Sequence, residues 1–130
     1  MIMVPFFLLP GKKELLPADI VTITVPEIVV RAGESSVIKM KIEIKKGYHI
    51  QANQVKDEFL IPTVLEIQEY KNIKLGKPQF PRSKKFKLED TDIFLDVYDG
   101  VFEIKIPTTV AKEIPKGNHA MKANLQYQAC

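Results

Sequence analysis

Tryptophan is absent from this sequence, histidine occurs twice and cysteine once. A single cysteine cannot close an internal disulfide, so on composition alone its thiol reads as incidental or as the mark of a reducing compartment. No apolar run approaches the roughly 20 residues that a membrane-crossing helix needs. The glycine-rich phosphate loop, the nucleophile elbow and the metalloprotease helix are all missing, which removes the commonest routes to nucleotide, hydrolytic and zinc chemistry. His49 and His119 stand far apart, and no ligand spacing joins them to Cys130, so neither a metal nor another cofactor is expected. No stretch has a convincing helical period, and nine prolines spread along the chain work against long helices. Internal repeats and low-complexity linkers are absent as well.

What is present is the composition of one folded unit. The 130 residues are 45% hydrophobic and 27% charged. That is enough apolar content to offset chain entropy, and enough length for one core but not two. A net charge of +3 bears on solubility and loose association rather than on fold. The opening run Met1-Ile-Met-Val-Pro-Phe-Phe-Leu-Leu-Pro10 is nearly all apolar. No basic stretch precedes it and no small-residue cleavage site follows, as a leader would require. It is expected to pack on the domain, as part of an N-terminal extension over residues 1–16.

The dominant period is two. Ile38, Met40, Ile42 and Ile44 alternate with Lys39, Lys41, Glu43 and Lys45, and Met121, Ala123, Leu125 and Tyr127 alternate with Lys122, Asn124, Gln126 and Gln128. Such alternation sends apolar side chains to one face and polar ones to the other, as in a half-buried strand. Val101-Phe-Glu-Ile-Lys-Ile106 gives a third strand, which Pro107 is expected to close. Weaker strands are expected over residues 20–25, 27–31, 48–52, 63–68 and 94–98. Turn residues punctuate them, and Asp99-Gly100 between two alternating runs is the strongest hairpin signal. About eight short strands punctuated in this way predict an all-β antiparallel sandwich rather than βαβ units.

Charge is segregated in one region. Lys71, Lys74, Lys77, Arg82, Lys84, Lys85 and Lys87 occur with no acid among them; Glu89, Asp90, Asp92, Asp96 and Asp99 then occur with no base. A solvated loop with mutually compensating halves accounts for this, and a docking surface for a charged partner is the functional alternative. Nucleic acid is not expected as a partner: Phe80 and Phe86 could stack on bases, but the neighbouring acids would repel phosphate.

Cys130 follows directly on a strand, in Leu125-Gln-Tyr-Gln-Ala-Cys130. A thiol at a strand end can be exposed, and disulfide exchange needs access as well as thiolate character. The residues alone leave the function open at this point.

Several pieces, in order, resemble one family. They are Pro17-Ala18-Asp19, Gly47-Tyr-His-Ile-Gln-Ala-Asn53, Ile61-Pro62-Thr63, Leu75-Gly-Lys-Pro-Gln-Phe-Pro81, Val97-Tyr-Asp-Gly-Val101 and Tyr127-Gln-Ala-Cys130. Together they are similar to the N-terminal periplasmic domain of the thiol:disulfide interchange protein DsbD, from about Pro17 to Cys130, and the last piece is the most diagnostic. The resemblance implies an immunoglobulin-like β-sandwich in the periplasm, attached to a membrane-embedded electron-transfer domain and a thioredoxin-like domain. It implies that the sandwich takes electrons from the thioredoxin-like domain and reduces thioredoxin-fold partners, namely disulfide isomerases and a protein of cytochrome c maturation. Cys130 would be one half of the redox pair. The family's second cysteine, which falls a few residues later, and the family's final strand do not occur in these 130 residues. The fragment is therefore expected to be truncated, inactive alone, and left with an unpaired sheet edge. Phe86 or Phe94 would supply the family's shielding aromatic, and Tyr48, His49 and Tyr127 would lie near the thiol. Gln51 stands where the family carries a further aromatic. The alternative from a different class is a non-catalytic immunoglobulin-like module for binding or spacing, with the basic stretch as its contact surface.

Overall fold

The computed structural model describes residues 2–8, 20–25 and 28–129, the first of these as backbone only. Ten strands run in chain order: β1 (Ile2–Leu8), β2 (Val21–Thr24), β3 (Ser35–Ile44), β4 (Ile50–Gln51), β5 (Val64–Ile67), β6 (Ile73–Leu75), β7 (Lys84–Lys87), β8 (Phe94–Tyr98), β9 (Val101–Val110) and β10 (Met121–Tyr127). No helix occurs among the described residues. The strands form antiparallel sheets in the orders β2-β3-β9-β6, β1-β10-β5 and β4-β8-β7.

The period-two runs become the two faces of the core. Ile38, Met40, Ile42 and Ile44 of β3 are buried with Ile104 and Ile106 of β9 and Val21 and Ile23 of β2. The same apolar cluster takes Met121, Ala123, Leu125 and Tyr127 of β10, Leu65 of β5, and Ile50 and Tyr98 of the third sheet. Sheets that are apolar on one face bury it by packing on one another, and the result is an immunoglobulin-like β-sandwich.

Four expectations need correcting. Pro107 does not end its strand, because β9 runs on to Val110. The carbonyl of Pro107 accepts from Gly76 N–H at 2.7 Å, on the side of β9 away from β3. Both backbone groups of a strand residue point to the same side, so the missing N–H faces a neighbour that β6 has already left at Leu75. Gly76 allows that approach, since a Cβ there would sit 3.1 Å from Pro107 Cβ.

Asp99-Gly100 does not join a paired hairpin, because β8 and β9 belong to different sheets. Gly100, at φ +66°, already accepts from Ile44 N–H at 2.7 Å, so the chain joins β3 there and turns from one sheet to the next. Consecutive strands that do pair are β2 with β3 and β7 with β8. Residues 28–31 form no strand, and Glu27 lies outside the described residues. Val29, 83% exposed, has no sheet face to fill, so β-branched composition alone does not order the run. Finally, the stretch over residues 71–87 is not simply loop, since it supplies β6 and β7.

The apolar N-terminal run also has a place. Residues 2–8 pair with β10 from Ile2↔Tyr127 to Leu8↔Met121. Pro5 is tolerated opposite Asn124 because β1 has a neighbour on one side only. β10 is thus flanked by β1 and β5 in its sheet.

Candidate functional site

Cys130 lies outside the described residues, so the site is built from the strands that lead to it. β10 carries the chain to Ala129, which forms an antiparallel bridge with Ile50 of β4. Next to that bridge, Gln51 N–H donates to Gln128 O at 3.0 Å. The side chain of Gln128 is held as well: its Oε1 accepts from Ile61 N–H at 2.9 Å. Thr63 closes the same corner, its hydroxyl donating to Gln51 O at 2.5 Å and its N–H to Ala52 O at 3.0 Å. The end of β10 is therefore fixed to β4 and to the base of the loop over residues 53–62.

Strand alternation sorts the third sheet into two faces. Gln51 pairs with Val97, Lys84 with Val97, and Phe86 with Leu95. His49, Gln51, Lys84, Phe86, Leu95, Val97 and Asp99 accordingly share one face. Gln51, Leu95 and Val97 are buried there, although none of them belongs to the main core cluster. The His49 ring stacks on Phe86, with centroids 4.2 Å apart and planes 29° from parallel. His49 Nε2 lies 3.6 Å from Asp99 Oδ2, and Lys84 Nζ donates to Asp99 Oδ1 at 2.6 Å. The result is a half-buried wall holding an imidazole, a carboxylate, an ammonium and an aromatic ring. It presents both charged and apolar surface to a neighbouring group.

The other residues singled out from sequence lie apart from this wall. Phe94 is 56% exposed on the opposite face of the hairpin, because it neighbours Leu95 in the strand. Tyr48 is exposed, with Lys45 Nζ 5.9 Å from its ring centroid. Tyr127 is fully buried in the core, and burial pushes its phenol above the ordinary value. His119 is elsewhere, bonded to Tyr70 Oη and to Pro115 O at 2.7 Å each. No group of metal-ligating side chains occurs among the described residues.

Gln128, Thr63 and Asp99 have no functional assignment from sequence, and Lys84 counts only as part of the basic stretch. For Asp99 and Lys84 the only signal was charge of opposite sign in consecutive segments. The structure joins those segments: Lys84 pairs with Asp99, Lys85 with Asp96 at 2.5 Å and Lys87 with Asp92 at 4.0 Å. The hydrogen bond that the Lys85 ammonium donates to Asp96 holds it above its ordinary pKa. Compensating halves are thus what β7–β8 builds, as a hairpin and the turn that closes it.

Fold and site together define an antiparallel, immunoglobulin-like β-sandwich whose last core strand is clamped at its end by β4. A comparison with protein families matches residues 13–130 to the family described as thiol:disulfide interchange protein DsbD, N-terminal, and the chain belongs to that family. It is thus a thiol:disulfide interchange protein domain. Comparisons with curated proteins and with solved structures returned no match. No helix among the described residues is long and apolar enough to cross a membrane.

Proposed function

We propose that this domain passes reducing equivalents, through Cys130, from a thioredoxin-like domain of its parent protein to thioredoxin-fold partners in the periplasm. Disulfide isomerases and a protein of cytochrome c maturation are the partners this reading names. The observation that carries it is the family match over residues 13–130, which reaches the cysteine of Tyr127-Gln-Ala-Cys130. In the exchange, the Cys130 thiolate attacks one sulfur of a partner disulfide, and the partner's other sulfur leaves as a thiolate. A second thiol must then attack the mixed disulfide to release the reduced partner. A cysteine following Cys130 in the natural protein would supply it.

The test uses a thioredoxin-fold protein that retains only its attacking cysteine, activated as the thionitrobenzoate adduct. The expected product is a one-to-one species that reductant dissolves and that Cys130→Ser does not form. Failure of the unmodified domain to form it would refute the proposal. The non-catalytic binding module has weaker support, since Lys84 and Lys85 of the basic stretch are engaged by Asp99 and Asp96.

A further inference from the structure

We infer that the open edge of β5 is a docking site for an extended polypeptide segment of a partner protein, one that alternates apolar with basic residues. β5 ends the sheet order β1-β10-β5, and β6 ends the order β2-β3-β9-β6. The two edges flank a groove of about 720 Å³, whose lining includes Leu65, Ile67, Tyr70, Ile73, Leu75 and Pro78. β1 and β2 hold the opposite edges of the same two sheets. Tyr70 is a fixed wall of the groove: its Oη bonds to His119 Nδ1 at 2.7 Å, and His119 Nε2 donates to Pro115 O at 2.7 Å.

Backbone direction identifies the occupant as a strand. Gln68 N–H donates to Lys122 O at 2.8 Å, so Gln68, Glu66 and Val64 point their backbone groups at β10. Leu65 and Ile67, between them, point theirs into the groove, and neither takes a backbone partner there among the described residues. The free stretch starts at Leu65, because the N–H of Thr63 already donates to Ala52 O at 3.0 Å. An unpaired row of this kind is a template for another chain, and proteins commonly blunt it with lysine, proline or a bulge. β7 carries Lys84, Lys85 and Lys87 and β1 carries Pro5, whereas Val64-Leu-Glu-Ile67 has no lysine or proline. A small apolar ligand would leave the backbone groups of Leu65 and Ile67 without partners; an added strand satisfies them.

Pairing also sets the side chains of the occupant. Residues opposite Leu65 and Ile67 share their face and enter the groove, so these positions take apolar side chains. The residue between them lies beside Glu66, which is exposed and takes no ion pair among the described residues. Glu69, also exposed, adds a second negative charge to the lining. A lysine or arginine at that intervening position meets an opposite charge across the strands. A second copy of the chain fits less well. Antiparallel pairing of β5 with itself that uses both Leu65 and Ile67 sets Glu66 against Glu66, and like charges directly opposed destabilise a pair.

The experiment titrates the full chain with a fluorescent, end-capped heptapeptide that alternates valine with lysine, read by anisotropy, and follows the amide signals of the isotope-labelled chain by NMR. The amides of Leu65 and Ile67 should shift, and those of β7 should not. N-methylating the two peptide residues that face β5 removes two main-chain hydrogen bonds and should weaken binding roughly tenfold. Exchanging the peptide lysines for glutamate should weaken it roughly two- to tenfold, and Glu66→Lys, at an exposed position that leaves the core intact, should reverse that preference. Absence of binding at about 1 mM peptide, equal affinity for the N-methylated peptide, or shifts confined to residues outside the groove would overturn the inference. An unchanged preference in Glu66→Lys would do the same, since the basic requirement would be gone. Self-association of the chain alone that shifts the same two amides would make a second copy the occupant, and the partner segment would be wrong.

Discussion

Replacing Tyr127 with Phe should make the domain more stable. Tyr127 is 0% exposed, and its Oη has no hydrogen-bond partner among the described residues. A hydroxyl taken from water into such a site without a partner costs about 1–3 kcal/mol. The substitution removes that cost and keeps the ring against Leu125, Ile50 and the rest of the core cluster. It leaves a void smaller than a methyl group, which takes back less than about 1 kcal/mol. The expected net gain is about 0.5–2 kcal/mol, read as a urea midpoint raised by roughly 0.5 M at unchanged slope. Tyr98 is the internal control, because its Oη donates to Asn53 Oδ1 at 2.5 Å. Tyr98→Phe strips that bond and should destabilise by about 1 kcal/mol. The alkaline limb gives a second check, since burial raises the native pKa of both phenols. Below the ordinary tyrosine value of about 10 both native and unfolded chains hold the proton, and their stability contribution is complete. As pH rises from there through the higher native value, the unfolded chain ionises first and stability falls; Tyr127→Phe should flatten that fall without abolishing it. A Tyr127→Phe chain less stable by 1 kcal/mol or more, on the same order as a lost hydrogen bond, would mean that the hydroxyl is satisfied, and the reasoning would fail.

Ile104→Ala removes a fully buried side chain from the middle of β9, and calorimetry should find a loss of about 2–5 kcal/mol. Gly100→Ala meets no atom within 4 Å but forces a side chain into φ +66°, so it should cost about 1–2 kcal/mol in denaturant titration. Phe86→Leu should quicken alkylation of Cys130 severalfold by removing the ring stacked on His49, whereas Phe94→Leu, on the opposite and exposed face, should leave the rate unchanged. Equal rates in the two variants would remove Phe86 from the site.

The long strands were legible because each fills one face of the core. β3, β9 and β10 alternate between buried and exposed positions with few breaks, and a period-two pattern in the residues maps onto such a strand directly. β6 and β7 were not legible, since Lys74, Lys84, Lys85 and Lys87 make them read as solvated loop. Their backbones are held by pairing to β9 and β8 rather than by a buried stripe of their own. Pro107 and the run at residues 28–31 failed in opposite directions for one reason. Whether a residue can sit in a strand depends on which neighbour its backbone faces, and a single sequence does not carry that. Asp99-Gly100 has ideal hairpin chemistry, yet the hydrogen bond from Ile44 to Gly100 draws the following strand into another sheet.

The candidate site is a product of that same crossing. Because β8 stays with β4 and β7 while β9 leaves for β3, the side chain of Asp99 remains behind on the third sheet, between Lys84 and His49. Had Asp99-Gly100 closed a paired hairpin, the carboxylate would have capped a turn at the rim of the sandwich. Sequence spacing gives no hint of this: His49, Lys84, Phe86 and Asp99 come from three segments that only the order β4-β8-β7 brings together. What the sequence does show is the residue types, and the resemblance pointed to His49 and Phe86 as neighbours of the thiol. The carboxylate beside them, and the bridge that ties Ile50 to Ala129, come from pairing across the sheet.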